Sequence, residues 1–231
     1  MTATFPILKA ITLDLDDTLW PSAAAIAAAE AKLHAWLEQH APAVAAALPP
    51  PQFAQLRRSL AAELPLIAHD FTALRHEAMK RALALHGEDI ALADAALALF
   101  LAARSEVELY SDVPAALERL SKRYRLVALT NGNADIERAG VGCFFSAVVN
   151  ARGVGVGKPD PRIFLAACDA AGVPPAQVLH AGDHPDFDVR GALRAGLQAA
   201  WINRPRAAWA GEAEKFHEFH DLLGLCEWLG A

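Results

Sequence analysis

The chain has 231 residues, enough for one large domain or for a core domain carrying an insertion. Its 54% hydrophobic content comes with only 7% aromatics and 52 alanines, so much of that content signals helix and not a greasy core. Twenty-seven acids against 21 Lys and Arg give a net charge of −6, which disfavours non-specific nucleic-acid binding, and the composition excludes collagen, low-complexity disorder and coiled-coil arrays.

Residues Ile7 to Leu15 are apolar except at Lys9, Thr12 and Asp14, and predict a buried strand that ends in acids. From Pro21 to Arg104 no strand is convincing. Pro21–His40 reads as a helix with its proline at the start. Pro49-Pro50-Pro51 breaks the pattern, and helices follow over Gln52–Glu63, Asp70–His86 and Asp89–Arg104. Of the 52 alanines, 28 fall between Pro21 and Ala103, so the alanine excess belongs to this helical bundle. Phe71, Leu74 and Met79 read as its core. His69, His76 and His86 read as polar-face residues.

After Tyr110 helices and strands alternate. The expected order is helix Val113–Arg123, strand Leu126–Leu129, a short helix near Ala134–Ala139 and strand Ala147–Val149. The run Gly153–Gly157 reads as a flexible loop. Asp160 caps a helix Pro161–Ala171. Strand Val178–Leu179, helix Phe187–Ala195, strand Gln198–Ile202 and helix Leu222–Leu229 complete the chain. His217-Glu-Phe-His220 reads as a solvated helix start. Alternation of this kind implies α/β: a Rossmann-like parallel sheet with helices on both faces, plus an inserted helical-bundle cap. The expected division is 1–20 with 105–231 as catalytic core, and 21–104 as cap.

Cys143, Cys168 and Cys226 form no Cys-x-x-Cys pair and read as buried, reduced thiols. Met1 to Leu15 shows no basic region followed by an apolar run and cleavage site. Ile90–Ala103 contains Asp94 and is too short to span a bilayer. The expectation is a cytoplasmic protein without membrane or nucleic-acid partners; oligomeric state leaves no trace in the sequence.

Four polar features fall just after predicted strands, where open α/β sheets place their sites. They are Asp14-Leu-Asp16-Asp17-Thr18, Thr130-Asn131-Gly132, Lys158-Pro159-Asp160, and Gly182-Asp183-His184-Pro-Asp186-Phe187-Asp188. Several carboxylates in one crevice are costly unless a cation neutralises them. Oxygen ligands without His or Cys point to a hard cation, Mg²⁺ before Ca²⁺. A hydroxyl, free backbone N–H groups in a Gly turn and a lysine suit the oxygens of a phosphate. Together these make a phosphoryl-transfer site, in which a carboxylate is able to attack phosphorus directly. Asp17 and Asp186 read as loop acids. Trp20 either lines the pocket or packs the hinge.

These motifs resemble the haloacid dehalogenase-like hydrolase superfamily. Asp14-x-Asp16-x-Thr18 is similar to its first motif, Leu126–Thr130 to its second, Lys158-Pro-Asp-Pro161 to its third, and Asp183 with Asp188 before Gly191-Ala192 to its fourth. The insertion after the first motif resembles that family's C1-type cap, expected to close as a lid on linkers near Trp20-Pro21 and Glu106–Tyr110. The resemblance implies Asp14 as nucleophile and Mg²⁺ ligand, and Asp16 as general acid/base whose backbone carbonyl also binds the metal. It implies Thr18 as loop support, and Thr130 with the Asn131 N–H as phosphate holders. Lys158 would join nucleophile and phosphate, Asp183 would ligate Mg²⁺, and Asp188 would support it directly or through water. An acid at Asp16 favours a phosphatase, because the family's dehalogenases lack it. His184 and Phe187 depart from the family's usual Ser and Asn. Asp-Asp-Thr-Leu-Trp20, Leu-Thr-Asn-Gly-Asn133 and Gln198-Ala-Ala-Trp-Ile202 are similar to bacterial flavin-pathway phosphatases. That implies FMN, phosphoribitylamino-uracil or a sugar phosphate as partner.

Other chemistries use the same core: 2-haloacid dehalogenation, phosphonate cleavage and sugar-phosphate mutation. A phospho-Asp signalling module also combines acids, Thr and Lys with Mg²⁺, but is shorter and carries its acceptor on a later strand. A catalytically dead binding module of this fold would not need the full set of acids.

Overall fold

A computed structural model describes residues 8–210 and 215–231. Chain contacts divide it into two compact units. One holds the segment up to Pro21, Leu109–Gly132 and Gly140–Ala231. The other holds Ser22–Glu108 together with Asn133–Ala139.

The first unit is built on six parallel strands: β1 (Ala10–Leu13), β2 (Arg125–Thr130), β3 (Ala147–Asn150), β4 (Val178–Gly182), β5 (Gln198–Ile202) and β6 (His217–Phe219), in the order β3-β2-β1-β4-β5-β6. Strand order reverses at β1, which pairs with β2 on one side and β4 on the other, so the crevice at its C-terminal end is the topological switch point. Val127 and Leu129 of β2 join a buried cluster with Ile163, Phe164 and Ala167. Leu126 and Ala128 are buried as well, and their alternation places them on the other face of the sheet.

The second unit is all helix: α1 (Ser22–His40), α2 (Pro42–Ala47), α3 (Pro50–Glu63), α4 (Phe71–Leu85) and α5 (Leu92–Arg104). Its core joins Leu33, Leu37, Phe53, Leu74, Met79 and Phe100, with alanines letting the helices approach closely. Asp70 caps α4 by accepting from the Thr72 and Ala73 N–H groups. The Arg75 guanidinium is buried, forks onto Glu30 and lies 3.2 Å from the centre of the Phe100 ring. Within the same unit Asn133 donates to Thr72 Oγ1, and the Asp135 N–H donates to Ser105 Oγ.

The remaining helices belong to the sheet unit: α6 (Val113–Ser121), α7 (Ala151–Val154), α8 (Pro161–Ala171), α9 (Gly191–Arg194) and α10 (Leu222–Leu229). Asp160 caps α8 through the Arg162 N–H. Among the described residues no helix is long and apolar enough to cross a membrane.

Several expectations need correction. Phe71 is 52% exposed: as the first residue of α4 it has no preceding turn to pack it inward. Cys143 is exposed, in a short turn at Gly142–Phe144, while Cys168 and Cys226 are buried. No helix spans 134–139: 134–135 are irregular and 136–140 form a turn. His217–Phe219 is the edge strand β6, because pairing to Ala200–Ile202 supplies its hydrogen bonds. Part of Gly153–Gly157 is helical, since Asn150 caps α7 and Gly155 ends it at φ +85°. The expected helix Phe187–Ala195 starts earlier, as a wide π-helical turn over Pro185–Arg190. Of the first predicted strand, Ile7 lies outside the described residues.

Candidate active site

The candidate side chains lie at the C-terminal ends of β1, β2 and β4 and in the loop after β3. Asp14 follows β1 directly, and its N–H still bonds to the Ala181 carbonyl of β4, so the sheet itself fixes its backbone. The chain then turns sharply. Asp17 adopts φ 62°, its N–H donates to the Trp20 carbonyl, and Leu19 N–H donates back to Leu15. This turn returns the buried Thr18 hydroxyl to Asp14 Oδ2, at 3.1 Å. Arg204 holds the turn from outside, donating to the Thr18 carbonyl while forking onto Asp112.

Lys158 is the hub. Its ammonium donates to Asp14 Oδ1 and to Asp188 Oδ1, each at 2.5 Å, and all three side chains are buried. Asp188 takes two further donors: the His180 ring at 3.0 Å on Oδ1 and the His184 N–H at 2.9 Å on Oδ2. Asp183 completes the group, and one carboxylate oxygen each from Asp14, Asp183 and Asp188 lie within 4.8 Å of one another.

The turn after β2 is tied to the lysine loop by a side chain. Asn131 donates from Nδ2 to the Lys158 carbonyl and accepts the Lys158 N–H on Oδ1, at 2.9 and 2.6 Å. A Cβ on Gly157 would stand 2.8 Å from that Oδ1, so only glycine fits beneath the clamp. Thr130 Oγ1 accepts the Gly132 N–H, leaving its own hydrogen to donate. Asp16 sits against this turn: a Cβ on Gly132 would come within 2.5 Å of Asp16 Oδ2. Asp16 Oδ1 accepts the indole N–H of Trp20, at 2.8 Å.

Electrostatics follow from burial and charge count. Burial raises the Asp14 pKa well above the usual carboxylate range; Lys158 opposes this, and the neighbouring Asp188 and Asp183 add to it. Asp183 is pushed up to about 7, by burial first and then by Asp188 and Asp17. Asp188 goes the other way: burial works against its anion, but Lys158 and His180 outweigh it and hold it low. The asymmetry has a geometric cause, since Asp188 accepts from three donors and Asp14 from two. Burial alone would lower Lys158; its ion pairs with Asp14 and Asp188 raise it instead, so the ammonium stays charged. Burial lowers His180, which stays neutral. The site thus carries more carboxylates than cations. An all-oxygen set of this kind fits a hard divalent ion, Mg²⁺ before Ca²⁺.

The structure therefore brings together Asp14, Thr18, Lys158, Asp183 and Asp188, with Asp16, Thr130 and Asn131 on the adjoining turn. Asp186 is an exposed acid paired to Arg190. Trp20 is fully buried and reaches the site through Asp16. His184 and Phe187 form one device: their rings stack at 4.2 Å, and His184 Nδ1 accepts the Asp186 and Phe187 N–H groups, a helix cap made by imidazole where a hydroxyl would serve. Sequence reasoning missed His180, Arg204, Asp112 and the Asn131 side chain. A polar residue inside the apolar run Val178–Ala181 was the one available signal for His180.

Residues 8–196 match the family described as haloacid dehalogenase-like hydrolase. The chain is 34% identical over 199 residues to the 5-amino-6-(5-phospho-D-ribitylamino)uracil phosphatase YigB of Escherichia coli, covering 84% of this chain and 83% of that protein. It is 30% identical over 212 residues to a glyceraldehyde 3-phosphate phosphatase of Methanopyrus kandleri, covering 86% and 85%. A solved structure described as 2-haloacid dehalogenase from Pseudomonas syringae superposes with a TM-score of 0.91 at 38% identity, covering 97% of this chain and 99% of that one.

Proposed function

The chain belongs to the haloacid dehalogenase-like hydrolases and is an enzyme, and within that family we propose that it is a cytoplasmic Mg²⁺-dependent phosphomonoesterase working through an aspartyl-phosphate on Asp14. Lys158, the Thr130 hydroxyl and the Asn131 backbone N–H hold the phosphoryl oxygens. A carboxylate oxygen of Asp14 attacks phosphorus. The bond from phosphorus to the leaving alcohol breaks as the new one forms, and Asp16 gives its proton to the departing oxygen. Water then attacks the phosphorus of the aspartyl-phosphate, Asp16 takes its proton, and Asp14 leaves as a carboxylate with release of inorganic phosphate. Thr18 steadies Asp14 through Oδ2. Asp14, Asp183 and the Asp16 backbone carbonyl, with Asp188 in support, would hold Mg²⁺, which would supply the positive charge that offsets the repulsion between these carboxylates and a phosphate dianion.

The observation that carries this reading is the place of Asp16. Its carboxyl rests on the Thr130–Gly132 turn, held there by Trp20, while Lys158 engages Asp14 and Asp188 instead. An alkoxide leaving group needs a proton and halide does not, so an acid held there has work to do only in the first case. The names of the two phosphatase relatives support a small phosphorylated metabolite as substrate, of the kind of 5-amino-6-(5-phospho-D-ribitylamino)uracil or a sugar phosphate; the resemblance of Asp-Asp-Thr-Leu-Trp20 to flavin-pathway phosphatases adds FMN.

Hydrolysis of an aryl phosphate with Mg²⁺, followed by a screen of FMN, the ribitylamino-uracil phosphate, sugar phosphates and phosphoglycolate, tests the proposal. No turnover by the wild type, or full activity in Asp14→Asn, overturns it. A second reading, 2-haloacid dehalogenation, is favoured by the Pseudomonas syringae structure. Chloride release from 2-chloropropionate without metal would replace the first reading with it. A phospho-form that persists for minutes without turnover would identify a signalling module.

A further inference from the structure

Among the described residues, His180 is the one titratable group buried at this site to which the phosphatase mechanism gives no role. It lies within β4, in register with Thr12 of β1, and its side chain is fully buried. Its ring bridges two hydrogen bonds: Nδ1 lies 2.8 Å from Thr12 Oγ1, and Nε2 lies 3.0 Å from Asp188 Oδ1. The Phe164 ring meets it edge to face at 5.1 Å and blocks rotation.

The partners fix the hydrogens. Asp188 is an anion and only accepts, so Nε2 carries the proton. In a neutral ring Nδ1 then accepts, and the Thr12 hydroxyl donates to it. An unbroken chain results: Thr12 to His180, His180 to Asp188, then Lys158 gripping both Asp188 and Asp14. Without His180, Asp188 Oδ1 would keep Lys158 as its only donor, and the carboxylate would be free to swing on the His184 N–H bond at Oδ2. The lysine would follow it away from Asp14.

We propose that His180, locked as the Nε2–H tautomer between Thr12 and Asp188, is a positioning residue that sets Lys158 against the nucleophile Asp14. Outer partners of this kind typically contribute about 10–100-fold to activity. The inference rests on Asp14 as the nucleophile of the proposed phosphatase, and two readouts separate its failure from the failure of that reading.

The first readout is independent of turnover. Long-range ¹⁵N–¹H correlation spectra of the histidine-labelled protein, with His180→Gln to assign the signal, report the tautomer. A neutral Nε2–H ring, in protein with and without Mg²⁺, is expected. A neutral Nδ1–H ring or an imidazolium overturns the proposal.

The second readout is a kinetic split on an aryl phosphate with Mg²⁺. His180→Met removes the donor and is expected to lower kcat by about 10–100-fold with KM changed less than twofold. His180→Gln places an N–H near the Nε2 position and is expected to recover most of the loss. A His180→Met enzyme within twofold of wild-type kcat overturns the proposal, and so does a folded His180→Gln enzyme as slow as His180→Met. Should His180→Met fail to fold, the tautomer and the glutamine variant still decide. Absence of turnover in the wild type refutes the phosphatase reading, and the tautomer then judges His180 alone.

Discussion

Trp20 donates its indole N–H to Asp16 Oδ1 at 2.8 Å from a fully buried position. A rigid ring at the residue that closes the turn thus sets where an acid points. Trp20→Phe keeps most of the packing and removes the bond. A hydrogen bond of this kind contributes about 0.5–1.5 kcal/mol, so kcat on an aryl phosphate should fall by about two- to tenfold, with KM little changed. Steady-state kinetics check this; equal kcat values would remove Trp20 from the account of Asp16.

Gly132 faces the same carboxyl from the other side. In Gly132→Ala the new Cβ would stand 2.5 Å from Asp16 Oδ2 and 3.1 Å from Thr130 Oγ1. The expected result is a folded protein, by far-ultraviolet circular dichroism, whose kcat has dropped by about two orders of magnitude. Gly182→Ala should lower stability as well as activity. Its Cβ would stand 2.3 Å from the buried Asp188 Cγ, and such overpacking costs about 1–3 kcal/mol, readable as a lower urea midpoint.

Without metal the site should lose stability as pH rises. Asp183 has a folded-state pKa of about 7, above the ordinary carboxylate value near 3.9. Between those values the folded chain binds a proton that the unfolded chain has released. Stability therefore declines through this window, by at most about 1.4 kcal/mol per pH unit. The raised Asp14 acts in the same direction. Calorimetry on metal-free protein should give a lower Tm at pH 7.5 than at pH 5. Mg²⁺ should raise Tm most at the higher pH, and Asp183→Asn should flatten the slope. A wild-type Tm that rises over this range, unchanged by Asp183→Asn, would refute the charge balance described.

Removing Lys158 or Asp14 should have opposite effects on the metal-free fold. Lys158→Met leaves buried carboxylates with one cation fewer, a loss of about 3–5 kcal/mol for a broken buried pair, softened by proton uptake. Asp14→Asn relieves the like-charge crowding and should raise Tm while abolishing turnover. Thermal denaturation of both variants beside an activity assay separates stability from function.

The alternation of elements after Tyr110 and the alanine-rich insertion were legible in the chain, because periodicity and composition are local properties. So were Asp14, Asp16, Thr130, Lys158 and Asp183, since sheet topology brings successive strand ends to one crevice and the acids fall at those ends. Setting aside Asp14, Asp16, Asp17, Asp183, Asp186 and Asp188 leaves 21 acids against 21 Lys and Arg, so the charge of −6 equals the formal charge of these two clusters. The edge strand β6 was hidden, because its three residues become a strand only when β5 pairs with them. What tertiary structure alone decided is the wiring between distant residues: Asn131 to the Lys158 backbone, Arg204 to the Thr18 carbonyl, and Thr12 through His180 to Asp188. These contacts span from 8 to 186 positions, and no periodicity or propensity encodes which buried donor will meet which acceptor. Burial then converts that wiring into chemistry, because the same carboxylates in water would show neither the raised Asp183 nor the depressed Asp188.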